Sequence, residues 1–185
     1  MKIFQKLCLL CLALSLVSLC SKPAIAKALS ISSNNEIETT AENTEKNNID
    51  KTVEVFNSGT QTLYLTRSDI DLMAKLIYAE SRGEPFEGKV AVASVVLNRV
   101  VNPNFPNTVR EVIFQPKAFS CVKNGDIVAS PDEICYSAVY EAIRGTDPTN
   151  EAVFFYNPAI STCSWMKSTA KKDSTSIGHH LFFKC

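Results

Sequence analysis

The sequence predicts an α+β domain: a helical core followed by a small antiparallel β-sheet. Three observations carry that expectation. Amphipathic or apolar stretches with helix-start and helix-stop residues fill the chain from about Asp69 to Gly145. Short aromatic-rich runs, 152–156 and 181–183, follow them. Runs of helices and then of strands, rather than alternation, mark the α+β class.

The chain opens MKIFQKLCLLCLALSLVSLCSKPAIAKA, with Lys2 and Lys6 before an apolar stretch from Leu7 to Cys20. Ala24-Ile25-Ala26 is a small-residue cleavage site, so residues 1–26 read as a signal peptide and the mature chain starts at Lys27. The apolar stretch is shorter than the roughly 20 residues a membrane span requires, so no stable span is expected after cleavage. Lipidation at Cys20 is a weaker alternative, because Leu19 stands where a small residue is expected. The protein is expected to be exported, to a periplasm, the cell wall or the extracellular space.

Residues 27–65 read as a polar linker or flexible arm. Their first part, SSNNEIETTAENTEKNNID, has few core-forming side chains. Two apolar patches, Val53 to Phe56 and Leu63 to Leu65, either dock as an arm or stay loose. The folded domain is assigned to 66–185.

Within it, Ser68 and Asp71 form an S-x-x-D capping pair that opens a helix over Asp69–Ser81, ending near Gly83. At about 100° per residue, Met73, Leu76 and Ile77 share one stripe, and Glu80 falls on it. An ionised carboxylate is costly to bury, so Glu80 either finds a partner or keeps its proton, which is what a general acid needs. The alternative is a helix-end glutamate that bends out to water. Pro85 starts a second helix whose apolar run, Val90 to Leu97, suits a buried helix better than a strand because of its length and alanines. A short helix over Val109–Phe114 stops before Pro116. Ser130-Pro131-Asp132-Glu133 supplies an N-cap, a first-turn proline and a capping-box glutamate for a helix that Gly145 ends. A long polar loop, Asn157 to Gly178, separates the two strands.

Four cysteines remain in the exported chain: Cys121, Cys135, Cys163 and Cys185. An even count outside the cytosol suggests two disulfides. Three pairings are open, and the short loops favour Cys121–Cys135 with Cys163–Cys185. A zinc site is the rival, weakened by irregular intervals of 13, 27 and 21 residues. Residues 66–185 hold 13 basic and 13 acidic side chains, so no basic stripe points to nucleic acid. A neutral or zwitterionic substrate fits better, and no metal or cofactor is expected.

Ordinary glycoside hydrolysis takes two carboxylates. Glu84 and Glu87 lie close to Glu80, but Gly83 and Pro85 interrupt the helix between them, and solvated charges are the simpler reading of both. His179 and His180 are the only histidines, with no G-x-S-x-G elbow and no evident cysteine partner for nucleophilic chemistry. Tyr156-Asn157 at a strand end, and Trp165 in the polar loop, suit a sugar groove as well as a core.

The run LIYAESRGEPFEGKVAVASVVLNRV, with PNFPNTVREVIFQPKAFS, VFFYNP and IGHHLFF after it, resembles the cell-wall hydrolase family of the spore cortex-lytic enzyme SleB. The likeness covers about Asp69 to Phe183. It implies a lysozyme-like fold and lytic transglycosylase action on peptidoglycan glycan strands. The catalytic glutamate of the family motif falls on Glu80. Phe119, Ser120, Tyr156, Asn157 and His180 become candidate groove residues. A muramidase using water, an amidase or peptidase, and a wall-binding module without turnover are the rival readings. The four cysteines, and the lack of an upstream wall-binding repeat, depart from the family pattern.

Overall fold

The computed structural model describes residues 52–59 and 61–185. The expected signal peptide, the alternative of lipidation at Cys20 and the expected linker up to residue 51 lie outside the described residues. Among those described, no helix is long and apolar enough to cross a membrane.

A hairpin comes first: β1 (Thr52–Asn57) pairs antiparallel with β2 (Thr62–Thr66). Phe56, Leu63 and Leu65 are buried in the main core, while Val55 and Tyr64 stand opposite each other on the outer face. The apolar patches before residue 66 therefore dock, and the folded unit begins earlier than the composition of the linker suggests.

Helix α1 (Arg67–Glu80) starts directly from β2. Its N-cap is Thr66, whose hydroxyl accepts the Asp69 N–H while the Asp69 carboxylate accepts the Thr66 N–H. The expected Ser68–Asp71 pair is thus displaced by an equivalent pair two residues earlier, which keeps Ile70, Met73, Ala74, Leu76 and Ile77 on the buried face. Helix α2 (Phe86–Val101) runs through the centre, with Val90 to Leu97 almost wholly inaccessible to solvent. A helix that is apolar on every side must be covered on every side, and α1, α4 (Glu133–Ile143) and the short α3 (Val109–Phe114) cover it. Helix α4 is capped by Asp132 rather than Ser130, leaving Pro131 outside its first turn.

The second sheet has the order β3-β5-β4, with β3 (Phe154–Tyr156) and β4 (Lys172–Ile177) both antiparallel to the central β5 (His180–Lys184). The stretch expected to be a loop, 157–178, therefore holds a strand as well as the short helix α5 (Ser164–Ser168). Polar side chains at the C-terminal end of α2 tie this sheet to the helices. Asn98 donates to Asp147 and to the Ala152 carbonyl, and Arg99 Nε donates to the Val153 carbonyl at 2.8 Å. The chain is thereby anchored just before β3, and β3 faces the end of α1.

The four cysteines of the domain are all free thiols, which corrects the expectation of two disulfides. Each is committed to its own surroundings. Cys135 packs in the core on α4, Cys121 lies half-buried beside Glu80, and Cys163 and Cys185 are exposed. Burial, reinforced by the Glu80 carboxylate, pushes the Cys121 thiol up to about 12. An even count and short loops do not supply the close Cα approach that a bridge demands.

Candidate functional site

The last turn of α1 builds the site. Ser81 is fully buried and its hydroxyl donates to the Ile77 carbonyl. Lys89, from the first turn of α2, places its ammonium 2.6 Å from the Ser81 carbonyl, a cation at the negative end of the helix. Gly83, at φ 85°, then turns the chain toward α2. With its backbone held in this way, Glu80 points off the end of the buried stripe. It is neither sealed among Met73, Leu76 and Ile77 nor released into bulk water. It is half-buried, and its Oε1 accepts the Cys121 N–H at 3.2 Å and the Ser120 hydroxyl at 3.4 Å.

Glu80 lines a cleft of about 510 Å³ between the end of α1, the 117–120 loop, β3, the 157–166 segment and the start of β5. Phe119, Ser120, Tyr156, Asn157 and His180 all line the same cleft. The six residues singled out from sequence, spread over a hundred positions, thus share one concavity. Aromatic packing shapes one wall: Phe155 lies 6.3 Å from Phe119, 5.3 Å from His180 and 5.5 Å from Phe182, ring centre to ring centre. Asn157 Oδ1 accepts the Ala159 N–H, and Ile160 to Cys163 just beyond this turn line the cleft as well. Trp165 does not line it; half-exposed, it packs edge-on against Phe154 at 5.2 Å. Among the described residues no group of three or more His, Cys, Asp or Glu is placed to hold a metal ion.

Two neighbours of this cleft were not legible as such in the sequence. Arg99 lines it while only 4 % exposed, has no carboxylate partner among the described residues, and lies 5.0–5.8 Å from the rings of Phe105, Phe119 and Phe154. Burial lowers its pKa to about 10, which still leaves it a cation at neutral pH. In sequence it reads as an ordinary cation in the last turn of a helix. Glu84, taken as a solvated charge, has a side chain only 6 % exposed. It accepts the His179 N–H at 2.9 Å and contacts His179 Nδ1 at 3.0 Å. Burial opposes its ionisation, but the bonds from His179 and the nearby His180 outweigh that and hold the carboxyl below its ordinary value. His180 is pushed the other way from a charged state: burial lowers its pKa, against a pull from Glu84 and Glu80, so it is neutral at pH 7.

A larger, more open depression of about 850 Å³ lies elsewhere, walled by Val100, Phe105, Pro106 and Phe114. Among the described residues Glu111 is the one ionisable side chain lining it, and that carboxylate is engaged by Thr108 at the start of α3. Convergent polar groups and shifted titrations mark the smaller cleft instead.

A model of the Cell Wall Hydrolase family matches residues 83–183, more than half of the chain. Glu80 lies three residues ahead of the first matched position. The spore cortex-lytic enzyme of Bacillus cereus is 47 % identical over 119 residues, which are 64 % of this chain and 45 % of that protein. The spore cortex-lytic enzyme of Bacillus subtilis strain 168 is 44 % identical over 117 residues, 63 % of this chain and 38 % of that one. The chain therefore spans less than half the length of these curated relatives. Among solved structures, the catalytic domain of the Bacillus cereus SleB protein aligns with a TM-score of 0.58 at 47 % identity, covering 64 % of this chain and 91 % of that domain. The catalytic domain of the germination-specific lytic transglycosylase SleB from Bacillus anthracis gives 0.60 at 46 % identity, covering 65 % and 97 %. The lysozyme-like α+β fold is shared with these domains.

Proposed function

Because the chain belongs to the Cell Wall Hydrolase family, we propose that it is an exported enzyme that cleaves peptidoglycan glycan strands, as a lytic transglycosylase with Glu80 as its acid. The observation that carries this reading is the setting of Glu80. A half-buried carboxylate with two donors on one oxygen sits in a cleft that is also lined by the rings of Phe119, Phe155 and Tyr156, the Asn157 amide, a neutral His180 and the cations Arg99 and Lys117. Flat rings beside hydrogen-bonding side chains are the chemistry that recognises uncharged sugars.

Glu80 in its neutral form protonates the oxygen joining N-acetylmuramic acid to N-acetylglucosamine. As the C1–O bond breaks, the muramoyl C6 hydroxyl attacks C1. The carboxylate left by the first transfer accepts the hydroxyl proton, and a 1,6-anhydro ring closes. One side chain gives and recovers a single proton, so the enzyme ends as it began. Water takes no part as nucleophile, and no second carboxylate is needed to activate it.

The disposition of Glu84 favours this over hydrolysis. It is the nearest other carboxylate in sequence, but both its oxygens are committed to the 179–180 turn. A muramidase acting with water would need a free base in the cleft, and Glu84 is not one. A binding module without turnover would gain little from a carboxylate at the cleft mouth.

Glu80→Gln is the direct test. The amide fills the same space and cannot deliver a proton, so glycan cleavage should fall to background while thermal melting and sedimentation with cell walls stay at wild-type values. Wild-type turnover by that variant rules the assignment out.

A further inference from the structure

Four residues after Glu80, the chain makes a second commitment that the cleavage chemistry leaves unused. The Glu84 carboxylate lies against the turn between β4 and β5, 95 positions away in sequence. Oε2 accepts the His179 N–H, and Oε1 contacts His179 Nδ1. Gly178 makes the approach feasible: it adopts φ 58°, and a Cβ there would collide with the Glu84 carboxylate and with Pro85. Next along is His180, its side chain 11 % exposed, with Nδ1 fully buried, 3.9 Å from Glu84 Oε1 and without a hydrogen-bond partner among the described residues. At 3.9 Å the contact is electrostatic and not a hydrogen bond. The ring packs edge-on to Phe155 and lines the cleft that holds Glu80.

A carboxylate facing Nδ1 favours the tautomer that carries its hydrogen there, since a lone pair would point at negative charge. The other nitrogen, Nε2, then bears the lone pair. With Nδ1 sealed, the accessible part of the ring is the part that meets the cleft. We infer that Glu84 is a positioning residue: clamped to the Gly178–His180 turn, it fixes His180 as a neutral hydrogen-bond acceptor toward the cleft, there to receive a hydroxyl or amide N–H of the glycan. The inference rests on the cleft being the glycan site proposed above. It adds a specificity element to the cleft that Ser120 also lines, and explains why a buried acid stands beside the catalytic one without sharing its task.

The test combines kinetics with a direct reading of the ring. Nitrogen-15 spectra of histidine-labelled protein at pH 7 should show His180 hydrogenated at Nδ1, and Glu84→Gln should shift it toward the Nε2 form. A wild-type ring hydrogenated at Nε2 overturns the inference whatever the enzyme does, and needs no variant to fold. On purified glycan strands, His180→Phe, which keeps the ring against Phe155, should raise KM about tenfold with a smaller change in kcat, as the loss of one neutral acceptor does. Glu84→Gln should do the same, and the double variant should be no worse than either single one. Additive losses, or a Glu84→Gln effect confined to melting temperature, assign Glu84 a structural role only. Glu80→Gln in the same assay separates the two readings. If it is dead while His180→Phe binds normally, the positioning role falls and the cleavage reading stands. If it turns over normally, the cleavage reading falls and the spectra still decide the tautomer.

Discussion

Glu80 and Glu84 stand on either side of Gly83, and their surroundings are opposites. Glu80 ends a helix, is half-buried, and touches two donors on a loop forty positions away at 3.2 and 3.4 Å. Glu84 has no helix around it, yet its side chain is nearly sealed and bonded at 2.9 and 3.0 Å. A carboxylate that must exchange a proton with substrate needs open space on one side and loose partners. One that braces a turn needs the reverse. Burial alone is thus a poor guide to which acid does the chemistry, because the more deeply buried of the two is the brace.

Substitutions should split along that line. The largest effect on turnover is expected from Glu80→Gln, a loss of about 10²–10⁴-fold in kcat, with stability to denaturant changed by no more than about 0.5 kcal/mol. Gly178→Ala should show the converse. Placing a methyl against the Glu84 carboxylate at a left-handed backbone position should cost about 2 kcal/mol or more, read from urea unfolding, with kcat falling far less than in Glu80→Gln. Arg99→Lys sharpens the contrast from below the cleft. The planar guanidinium that meets three rings and the Val153 carbonyl is replaced by a point charge, and a loss of about 1–2 kcal/mol is expected despite the retained charge.

The smallest effect is in the pH dependence of stability. His180 and Glu84 both have folded pKa values below their ordinary ones, 6.5 and 4.5. In each case the unfolded chain binds the proton more readily, so stability falls as pH is lowered. The His180 contribution is complete above pH 6.5 and is lost as pH falls toward its lowered value. That of Glu84 is complete above pH 4.5 and is lost below it. Glu84→Gln should flatten the lower part of this slope, as followed by melting temperature between pH 7 and pH 3, whereas Glu80→Gln should leave the Glu84 contribution in place.

Legibility in the sequence followed burial and locality. Val90 to Leu97 announced the central helix because nothing polar interrupts a segment that other helices surround. Val109–Phe114 was readable to the residue, since Pro116 follows its end closely, and the structure adds Thr108 as its cap. Strand β5, central in its sheet and rich in phenylalanine, was visible. Its edge neighbour β4, KDSTSI, was not, because only Ile177 of that strand is buried and no alternation of apolar residues betrays it. Caps were displaced by two residues at α1 and α4 because Thr66 and Asp132 compete with equally good candidates nearby.

The candidate site divides in the same way. Glu80 was marked by its place on a helical stripe, and its companions Phe119, Ser120, Tyr156, Asn157 and His180 by family likeness. Arg99 and Glu84 were not marked. What buries them lies far along the chain, in Val153, Phe154 and Phe119 for the first and Gly178–His180 for the second, and no local pattern records such a contact. The cysteines misled for a related reason: their count says nothing of where their side chains meet, and Cys135 is spent in the core.

The most direct measurement is the mass of the products released from purified, uncrosslinked glycan strands by the wild-type protein and by Glu80→Gln. The account predicts muramoyl ends lighter by one water than reducing ends with the wild type, and no such products from the variant. Reducing muramoyl ends with the wild type, or anhydro ends from Glu80→Gln at the wild-type rate, would contradict it.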